Sequence, residues 1–274
     1  MKLKDLYIST SQIIKNKNDI LILMNHFFNS DRLYITIHGN EEIDQNKLDL
    51  FTNCVNRLKN GEPIQYIVGE TEFLDIKLKV GKGVFIPRPE TEILVRKILE
   101  LKSESFDGNI VDLCSGSGNI PIYLKKHMKQ SNVWAIEKSE IAFKFLKKNS
   151  ELNNVKLNLL NKNIFEVIEN FKDNTFDIIT SNPPYIRTED IERLDKNIKF
   201  EPLMALDGGK NGIDFYEKII ENWTCKLKMG GIIVFEIGIG QANKIVDIMK
   251  NKFVDIQIIK DFSNIERIII GTKS

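Results

Sequence analysis

The sequence predicts a Rossmann-like α/β protein with a mostly parallel seven-stranded sheet and one antiparallel strand, preceded by a small helical bundle and a β-hairpin. Two observations support this fold class. Before residue 70 the apolar residues recur at helical spacing, and from residue 90 onward apolar runs of strand length alternate with helical stretches. A parallel sheet with crossover helices requires such alternation. We therefore expect a helical domain over residues 1–69, a connecting linker over 70–89 and an α/β domain over 90–274.

The helical domain contains one clearly bounded helix. Asp44 can cap its start, and Gly61 lies just past its end. Between them apolar residues recur at steps of three and four: Leu48, Phe51, Val55 and Leu58. Segments 3–14 and 19–28 show the same spacing, so we expect a bundle of short helices.

The linker is expected to form a hairpin. Residues 71–80 and 84–86 have the composition of two short strands around Gly81-Lys82-Gly83. Such a hairpin would connect the two domains.

Seven candidate strands follow in the α/β domain. They are residues 110–113, 133–136, 156–160, 176–180, 231–236, 254–259 and 266–270. Only residues 260–265 separate the last two, which is too short for a helical crossover. These two strands are therefore expected to pair antiparallel.

Composition limits the function classes. The formal net charge is +1, from 39 basic and 38 acidic residues, which argues against a broad phosphate-binding face. No apolar run approaches membrane-spanning length and the start lacks a secretory pattern, so we expect a soluble, cytoplasmic protein without membrane contact. The three cysteines lack a C-x-x-C pair and the three histidines are scattered, so we expect neither disulfides nor a metal.

A glycine-rich turn follows the first strand of the α/β domain. Residues 110–118 run from an apolar strand into Gly116-Ser117-Gly118, and Pro121 suits the first turn of the next helix. Because position 121 is not glycine, the pattern disfavours a pyrophosphate site. Glu137, at the end of the next strand, can accept from both hydroxyls of a ribose. S-adenosylmethionine offers a ribose and no phosphate, although a tight turn without any ligand and an exposed Glu137 remain the alternative.

A second polar turn follows a later strand. Ser181-Asn182-Pro183-Pro184-Tyr185 comes directly after the apolar run 176–180. The two prolines donate no N–H and hold the preceding residues extended, which leaves backbone carbonyls to accept from a substrate. The Asn182 side-chain oxygen and these carbonyls can hold a primary amide or amine, while Tyr185 covers the planar group. The alternative is an ordinary Pro-Pro loop.

The residues of this second turn are suited to methyl transfer to an amide nitrogen. An amide nitrogen is a poor nucleophile because its lone pair is delocalised, so positioning has to supply much of the rate. The Asn182 side-chain oxygen and the Pro183 carbonyl can bind both N–H groups and stabilise positive charge that develops on the nitrogen. We therefore assign the catalytic role to Asn182, Pro183 and Tyr185.

The combination of these turns resembles class I S-adenosylmethionine-dependent methyltransferases that modify planar amide or amino nitrogens. Four further segments are similar to the bacterial release factor glutamine methyltransferases (the HemK/PrmC family): residues 61–69, 85–92, 201–212 and 236–241. The resemblance implies methylation of the glutamine side-chain amide in the Gly-Gly-Gln motif of class I peptide chain release factors, which act in translation termination. It also implies S-adenosylmethionine as cofactor and S-adenosylhomocysteine as product. We expect the protein to be a monomer, without a metal and without stable binding to nucleic acid.

The resemblance also implies roles for individual residues. Asn182 to Tyr185 would hold the glutamine, with Asn182 also next to the cofactor, and Phe85 and Arg88 match a segment near the substrate. Phe85 can equally be a core residue, and Arg88 can equally pair with a carboxylate. The implied cofactor residues are Asp112, Cys114, Ser115, Gly116, Ser117 and Gly118 around the methionine part, Glu137 at the ribose, and Asn163 and Ile164 at the adenine.

This chain departs from the family pattern at two of these positions. Cys114 stands where the family usually has glycine, which affects how closely the turn approaches the cofactor. Asn163 stands where the family often has an acidic residue, although an amide oxygen can still accept from the adenine amino group.

Two other functions compete with this interpretation. A nucleic-acid N6-adenine methyltransferase can use the same Asn-Pro-Pro-Tyr turn on a flipped base, but would be expected to show a basic track. A catalytically silent cofactor-binding module would use its helical domain as an adaptor. In the favoured interpretation the helical domain helps to recognise the protein substrate.

Overall fold

The computed structural model describes all 274 residues, which form two compact units. The first unit comprises residues 1–70 together with 195–200, and the second comprises 71–194 and 201–274. None of the helices is both long and apolar enough to cross a membrane.

The first unit is helical, as predicted. Asn16, Asp31 and Asp44 each accept a backbone N–H within the first turn of the helix that follows, which satisfies groups that the helix itself leaves unpaired. Ile20 and Phe51 are fully buried in its core. The helices are α1 (Leu3–Ile13), α2 (Lys17–Phe28), α3 (Arg32–His38), α4 (Gln45–Lys59) and α5 (Ile64–Val68).

The hairpin exists, but its predicted position is wrong. The two strands are β1 (Glu70–Phe73) and β2 (Ile76–Lys79), and the chain turns at Leu74, whose φ is 52°. Residues 81–83 make a separate turn, and residues 84–86 pair with no strand. Pro87 and Pro89 follow, and because proline lacks an N–H, this segment is poorly suited to a ladder.

The second unit contains the predicted seven-stranded sheet, in the order β5-β4-β3-β6-β7-β9-β8. Only β9 runs in the direction opposite to the other six strands. The strands are β3 (Asn109–Leu113), β4 (Asn132–Ile136), β5 (Asn158–Leu160), β6 (Phe176–Ser181), β7 (Leu227–Glu236), β8 (Phe253–Lys260) and β9 (Glu266–Lys273). The helices are α6 (Thr91–Lys102), α7 (Asn119–His127), α8 (Glu140–Leu152), α9 (Leu203–Leu206), α10 (Asp214–Trp223) and α11 (Ala242–Met249).

Apolar side chains cover both faces of this sheet. Successive strand residues point to opposite faces, so Ile110 joins the core that includes side chains of α6 and α7, while Val111 joins the core that includes those of α10 and α11. Trp223, Phe176 and Phe235 are fully buried in the second of these cores. Burial on both faces explains why the central strands read as continuous apolar runs.

The strand order brings the two polar turns together. The chain leaves β3 toward β4 on one side and returns to β6 on the other, which makes the gap between β3 and β6 a topological switch point. Leu113, the last residue of β3, lies beside Ser181, the last residue of β6. Leu113 also lies beside Ile136, which precedes Glu137. The glycine turn, Glu137 and Asn182 therefore all start from one edge of the sheet.

Candidate active site

The glycine turn after β3 is a tight cradle. Gly116 and Gly118 have φ values of 55° and 91°, in the left-handed region that favours glycine. A Cβ on Gly118 would lie 2.4 Å from the Leu146 side chain, whereas a Cβ on Gly116 would meet nothing within 4 Å. Gly118 is therefore required for packing against α8, and the turn at Gly116 leaves open space beside the backbone that a ligand can occupy.

Cys114 also has a positive φ, of 64°. This conformation explains why glycine is the usual residue here in the family that the sequence resembles, since a Cβ is unfavourable in that region. Burial raises the pKa of the Cys114 thiol, and the negative charges of Glu137 and Asp112 raise it further. Cys114 therefore remains a neutral thiol at the start of the cradle.

Glu137 closes the cradle from the end of β4. It is buried, with 8% of its surface exposed, so it is not the exposed strand-end charge of the alternative interpretation. Its Oε2 accepts from the Gly116 N–H at 2.8 Å, and its Oε1 accepts from the Ser139 N–H at 2.6 Å. Burial raises its pKa, while these hydrogen bonds act in the opposite direction. Each carboxylate oxygen retains capacity for another donor such as a ribose hydroxyl.

Two buried polar atoms of the cradle have no hydrogen-bond partner, Asp112 Oδ2 and Ser117 Oγ. Asp112 Oδ1 accepts from the Thr180 hydroxyl at 2.7 Å. Burial raises the pKa of Asp112 to about 7. Buried polar groups without partners are rare in folded proteins, so their presence beside a glycine turn is typical of a ligand site.

These features fit S-adenosylmethionine. The cradle offers unpartnered polar atoms, two carboxylates and an open backbone, and it has no cluster of basic side chains to hold phosphate. A ligand with ammonium and ribose donors and no phosphate matches that set. No group of three or more His, Cys, Asp or Glu side chains is arranged to hold a metal ion.

Asn163 and Ile164 follow β5, the neighbour of β4. Asn163 Oδ1 accepts from the Phe165 N–H at 3.1 Å, and its Nδ2 donates to Glu166 at 3.2 Å. Ile164 is buried, and its carbonyl accepts from the Trp223 indole N–H at 3.1 Å. The Asn163 side-chain amide therefore stabilises the turn that contains it. The predicted hydrogen bond to adenine would be made in addition to these two hydrogen bonds.

The turn after β6 is held rigidly on both sides. The Ser181 hydroxyl donates to the Leu113 carbonyl at 2.7 Å, which ties the end of β6 to the end of β3. Gln241 Nε2 donates to the carbonyl of Tyr185 at 2.8 Å. Pro183 and Pro184 are buried, while Asn182 and Tyr185 are half-buried. Burial is the main cause that raises the pKa of Tyr185, so its hydroxyl stays protonated.

Arg88 lies in the segment before α6. Its guanidinium pairs with the buried carboxylate of Glu201 and sits 4.8 Å from the ring centroid of Phe85. Glu201 also accepts from the Ile86 N–H at 2.9 Å. The carboxylate pairing that the sequence left open for Arg88 is therefore present, and it anchors the segment that carries Phe85.

Sequence reasoning gave no separate role to Thr91 and Glu236, which the structure brings to Asn182. Asn182 Nδ2 lies 3.4 Å from Thr91 Oγ1, and Thr91 Oγ1 lies 2.5 Å from Glu236 Oε2. An acidic residue at the end of an apolar strand was the available signal, because Glu236 ends β7 much as Glu137 directly follows β4.

Comparison with known proteins identifies the family. Residues 7–69 match the PrmC N-terminal domain and residues 79–198 match the methyltransferase small domain. A release factor glutamine methyltransferase from Thermodesulfovibrio yellowstonii is 44% identical over 239 residues, which cover 86% of this chain and 85% of that protein. This chain belongs to the release factor glutamine methyltransferase family. The family member from Clostridium acetobutylicum is 35% identical over 284 residues and matches 100% of this chain and 99% of its own length.

Solved structures support the fold. A methyltransferase from Pyrococcus furiosus superposes with a TM-score of 0.53 at 19% identity, over 84% of this chain and 100% of that one. TYW2 from M. jannaschii, in complex with AdoMet, superposes with a TM-score of 0.50 at 18% identity, over 75% of this chain and 85% of that one. The resemblance and the fold class predicted from the sequence are thereby confirmed for this family member.

Proposed function

We propose that this protein transfers a methyl group from S-adenosylmethionine to the side-chain amide nitrogen of the glutamine in the Gly-Gly-Gln motif of class I peptide chain release factors. The observation that carries the proposal is the register of β3 and β6, which starts the glycine turn and the Asn182 turn side by side. The relatives are named release factor glutamine methyltransferases, which supports the choice of a glutamine amide as the acceptor.

The cofactor would lie in the cradle between β3 and β4. Asp112 and residues 114–118 would hold its methionine part, Glu137 its ribose, and Asn163 with Ile164 its adenine. When bound, S-adenosylmethionine supplies an electrophilic methyl group on a cationic sulfur. The chain's own contribution is to orient this methyl group, to exclude water and to bring the substrate nitrogen into line.

Asn182 and Pro183 would orient the substrate. The Asn182 side-chain oxygen and the Pro183 carbonyl accept the two N–H groups of the glutamine amide, which fixes the plane of the amide. Held in this way, the nitrogen lone pair is directed at the methyl group, and positive charge that develops on the nitrogen faces two acceptors. Tyr185 covers the planar group, and Phe85 with Arg88 borders the substrate. No strong base is needed before transfer.

The domains of the chain would have different roles. Residues 1–69 would recognise the protein substrate, residues 70–89 would connect, and residues 90–274 would bind the cofactor and carry out transfer. The protein would act as a cytoplasmic monomer on release factors, without stable binding to nucleic acid or membrane. The near balance of 39 basic and 38 acidic residues favours a protein substrate over the adenine of a nucleic acid.

The test is methyl transfer from labelled S-adenosylmethionine to a purified release factor. The two substrates are matched and carry either Gln or Ala at the glutamine position of the Gly-Gly-Gln motif. We expect label on the Gln protein alone, in the absence of nucleic acid. Label on both proteins would reject glutamine as the acceptor, and label on added DNA but not on either protein would favour the adenine methyltransferase.

A further inference from the structure

Two buried polar side chains from distant elements meet at Asn182. Thr91 begins α6 and is 0% exposed, and Glu236 ends β7 and is 2% exposed. The Thr91 hydroxyl donates to Glu236 Oε2 at 2.5 Å, and Asn182 Nδ2 lies 3.4 Å from the Thr91 oxygen. The Asn182 amide is therefore linked to the Glu236 carboxylate through the Thr91 hydroxyl.

The chemistry of these three groups fixes the direction of the hydrogen bonds. An ionised carboxylate only accepts, and a hydroxyl has a single hydrogen to donate. Thr91 gives that hydrogen to Glu236, so toward Asn182 it can only accept. Only the Nδ2 end of the Asn182 amide can donate to it. The carbonyl oxygen, at the other end of the planar amide, is then the end left for an incoming N–H group.

We propose that Thr91 and Glu236 form a buried relay that holds the Asn182 amide in the one orientation able to accept from the substrate. This inference rests on the proposed function and adds two positioning residues to it. In the opposite orientation the Asn182 NH₂ group would face the N–H groups of the glutamine, and two donors would oppose each other. Neither Thr91 nor Glu236 needs to touch the substrate for its loss to slow transfer.

The relay depends on the ionisation of Glu236. Its pKa is raised to about 7, mainly because the side chain is buried; the hydrogen bond from Thr91 and the charge of Arg267 lower the pKa, and the charge of Glu90 raises it. Two tyrosines also face this residue: Tyr216, whose hydroxyl donates to the Glu236 backbone carbonyl at 2.8 Å, and Tyr185. Below pH 7 protonated Glu236 can donate to Thr91, and Thr91 can then donate to Asn182 Oδ1. The amide is then free to reverse, so the transfer rate falls as the pH falls through about 7.

Kinetics of three variants test the role of Thr91 in the relay. Thr91→Val keeps the shape and removes the hydroxyl, and Thr91→Ser keeps the hydroxyl. Thr224→Val is the matched control, because it removes another buried hydroxyl, one that bonds only within its own helical turn. We expect Thr91→Val to lower the single-turnover rate by about tenfold or more, with unchanged cofactor affinity and unchanged KM for the release factor. Thr91→Ser should restore most of the rate, and Thr224→Val should behave as wild type.

Glu236→Gln keeps the size of the side chain and removes its ionisation, so it distinguishes the effect on the orientation of the Asn182 amide from an effect on packing. Wild type should lose rate as the pH falls through about 7, whereas Glu236→Gln should be slower and show no such fall. A Glu236→Gln variant with the wild-type rate and the wild-type pH profile would overturn the relay, as would equal rates for Thr91→Val and wild type.

NMR spectroscopy can follow the environment of the Asn182 amide in the absence of substrate. The Asn182 side-chain amide signal in ¹⁵N-labelled protein is identified by its loss in Asn182→Ala. We expect this signal to shift between about pH 6 and 8 in wild type and to stay constant in Glu236→Gln. A signal that does not move in wild type, or that moves equally in Glu236→Gln, would overturn the proposal. A wild-type protein that shows the shift but leaves the release factor unmethylated would support the relay and reject the proposed substrate.

Discussion

Cys114 and Asn182 show how single residues at the strand ends meet different physical demands. Cys114 has a φ of 64°, which costs a residue with a Cβ roughly 1–2 kcal/mol relative to glycine. The family preference for glycine at this position is therefore conformational, and the thiol that replaces it here is neutral. Asn182 instead uses both ends of its amide, the nitrogen toward Thr91 and the oxygen toward the proposed substrate.

The role of Asn182 predicts a separation of binding from turnover. In Asn182→Ala both the acceptor oxygen and the contact with Thr91 are lost, while the glycine turn and Glu137 are untouched. We expect cofactor affinity to stay within about twofold and the single-turnover rate to fall by about 100-fold or more, as for removal of one group that stabilises charge in a transition state. Asn251→Ala, at an exposed turn, is the control. A rate near that of wild type in Asn182→Ala would remove Asn182 from the mechanism.

At the scale of elements, the strands that carry the site were the most predictable part of the chain. The central strands β3, β4 and β6 are buried on both faces, so their apolar runs stand out and their ends fall within a residue of the prediction. The hairpin was misplaced because Gly81 and Gly83 give a stronger turn signal than Leu74, whose positive φ no local pattern indicates. Helix α3 was not predicted, since Arg32–His38 is too short to show a period.

The site likewise contains residues that local sequence patterns predict and residues that only tertiary packing brings together. Asn182 and Glu137 directly follow apolar strands, so their placement at one edge follows from the topology. Thr91 and Glu236 meet across 145 residues of sequence, and only the packing of α6 against β7 brings them to Asn182. Local patterns carry no information on such a contact.

Gln241 connects three loops at the edge of the sheet. We therefore expect its replacement to lower both the stability of the protein and the rate of transfer. Its Oε1 accepts from Gly238, and its Nε2 donates to the carbonyls of Tyr185 and Gly212 at 2.8 and 3.0 Å. In Gln241→Ala these groups lose their partner, so we expect the free energy of unfolding to fall by about 1–3 kcal/mol. The single-turnover rate should also fall, because the Asn182 turn loses one of its two anchors.

Denaturant unfolding and single-turnover kinetics check this prediction. Gln45→Ala, which removes a hydrogen bond between exposed side chains of α4, is the matched control and should leave both quantities unchanged. Unaltered stability in Gln241→Ala would show that the three loops hold their positions without this side chain.

Over the whole molecule the charges nearly cancel, yet four carboxyl groups are buried inside it, and two of them have a pKa near neutrality. Asp112 is 0% exposed and Glu236 is 2% exposed, and burial raises the pKa of each to about 7. A buried carboxyl group with a raised pKa destabilises the folded state more when it is ionised than when it is protonated. The ligand-free protein therefore contains two groups that lower its stability at neutral pH, both at the edge of the sheet where function is proposed.

This burial predicts an unusual pH dependence for the stability of the ligand-free protein. The pKa of Asp112 rises from an ordinary 3.8 to about 7 on folding, so its stabilising contribution is complete below pH 3.8 and is lost as the pH rises to about 7. One pKa unit corresponds to about 1.4 kcal/mol, so the contribution of Asp112 changes by about 4 kcal/mol over this window. Asp112→Asn should lack this change, whereas Asp5→Asn on the exposed side of α1 should follow wild type. Denaturant unfolding across this pH range gives the comparison, and parallel curves for wild type and Asp112→Asn would mean that Asp112 ionises as readily in the folded chain as in the unfolded one.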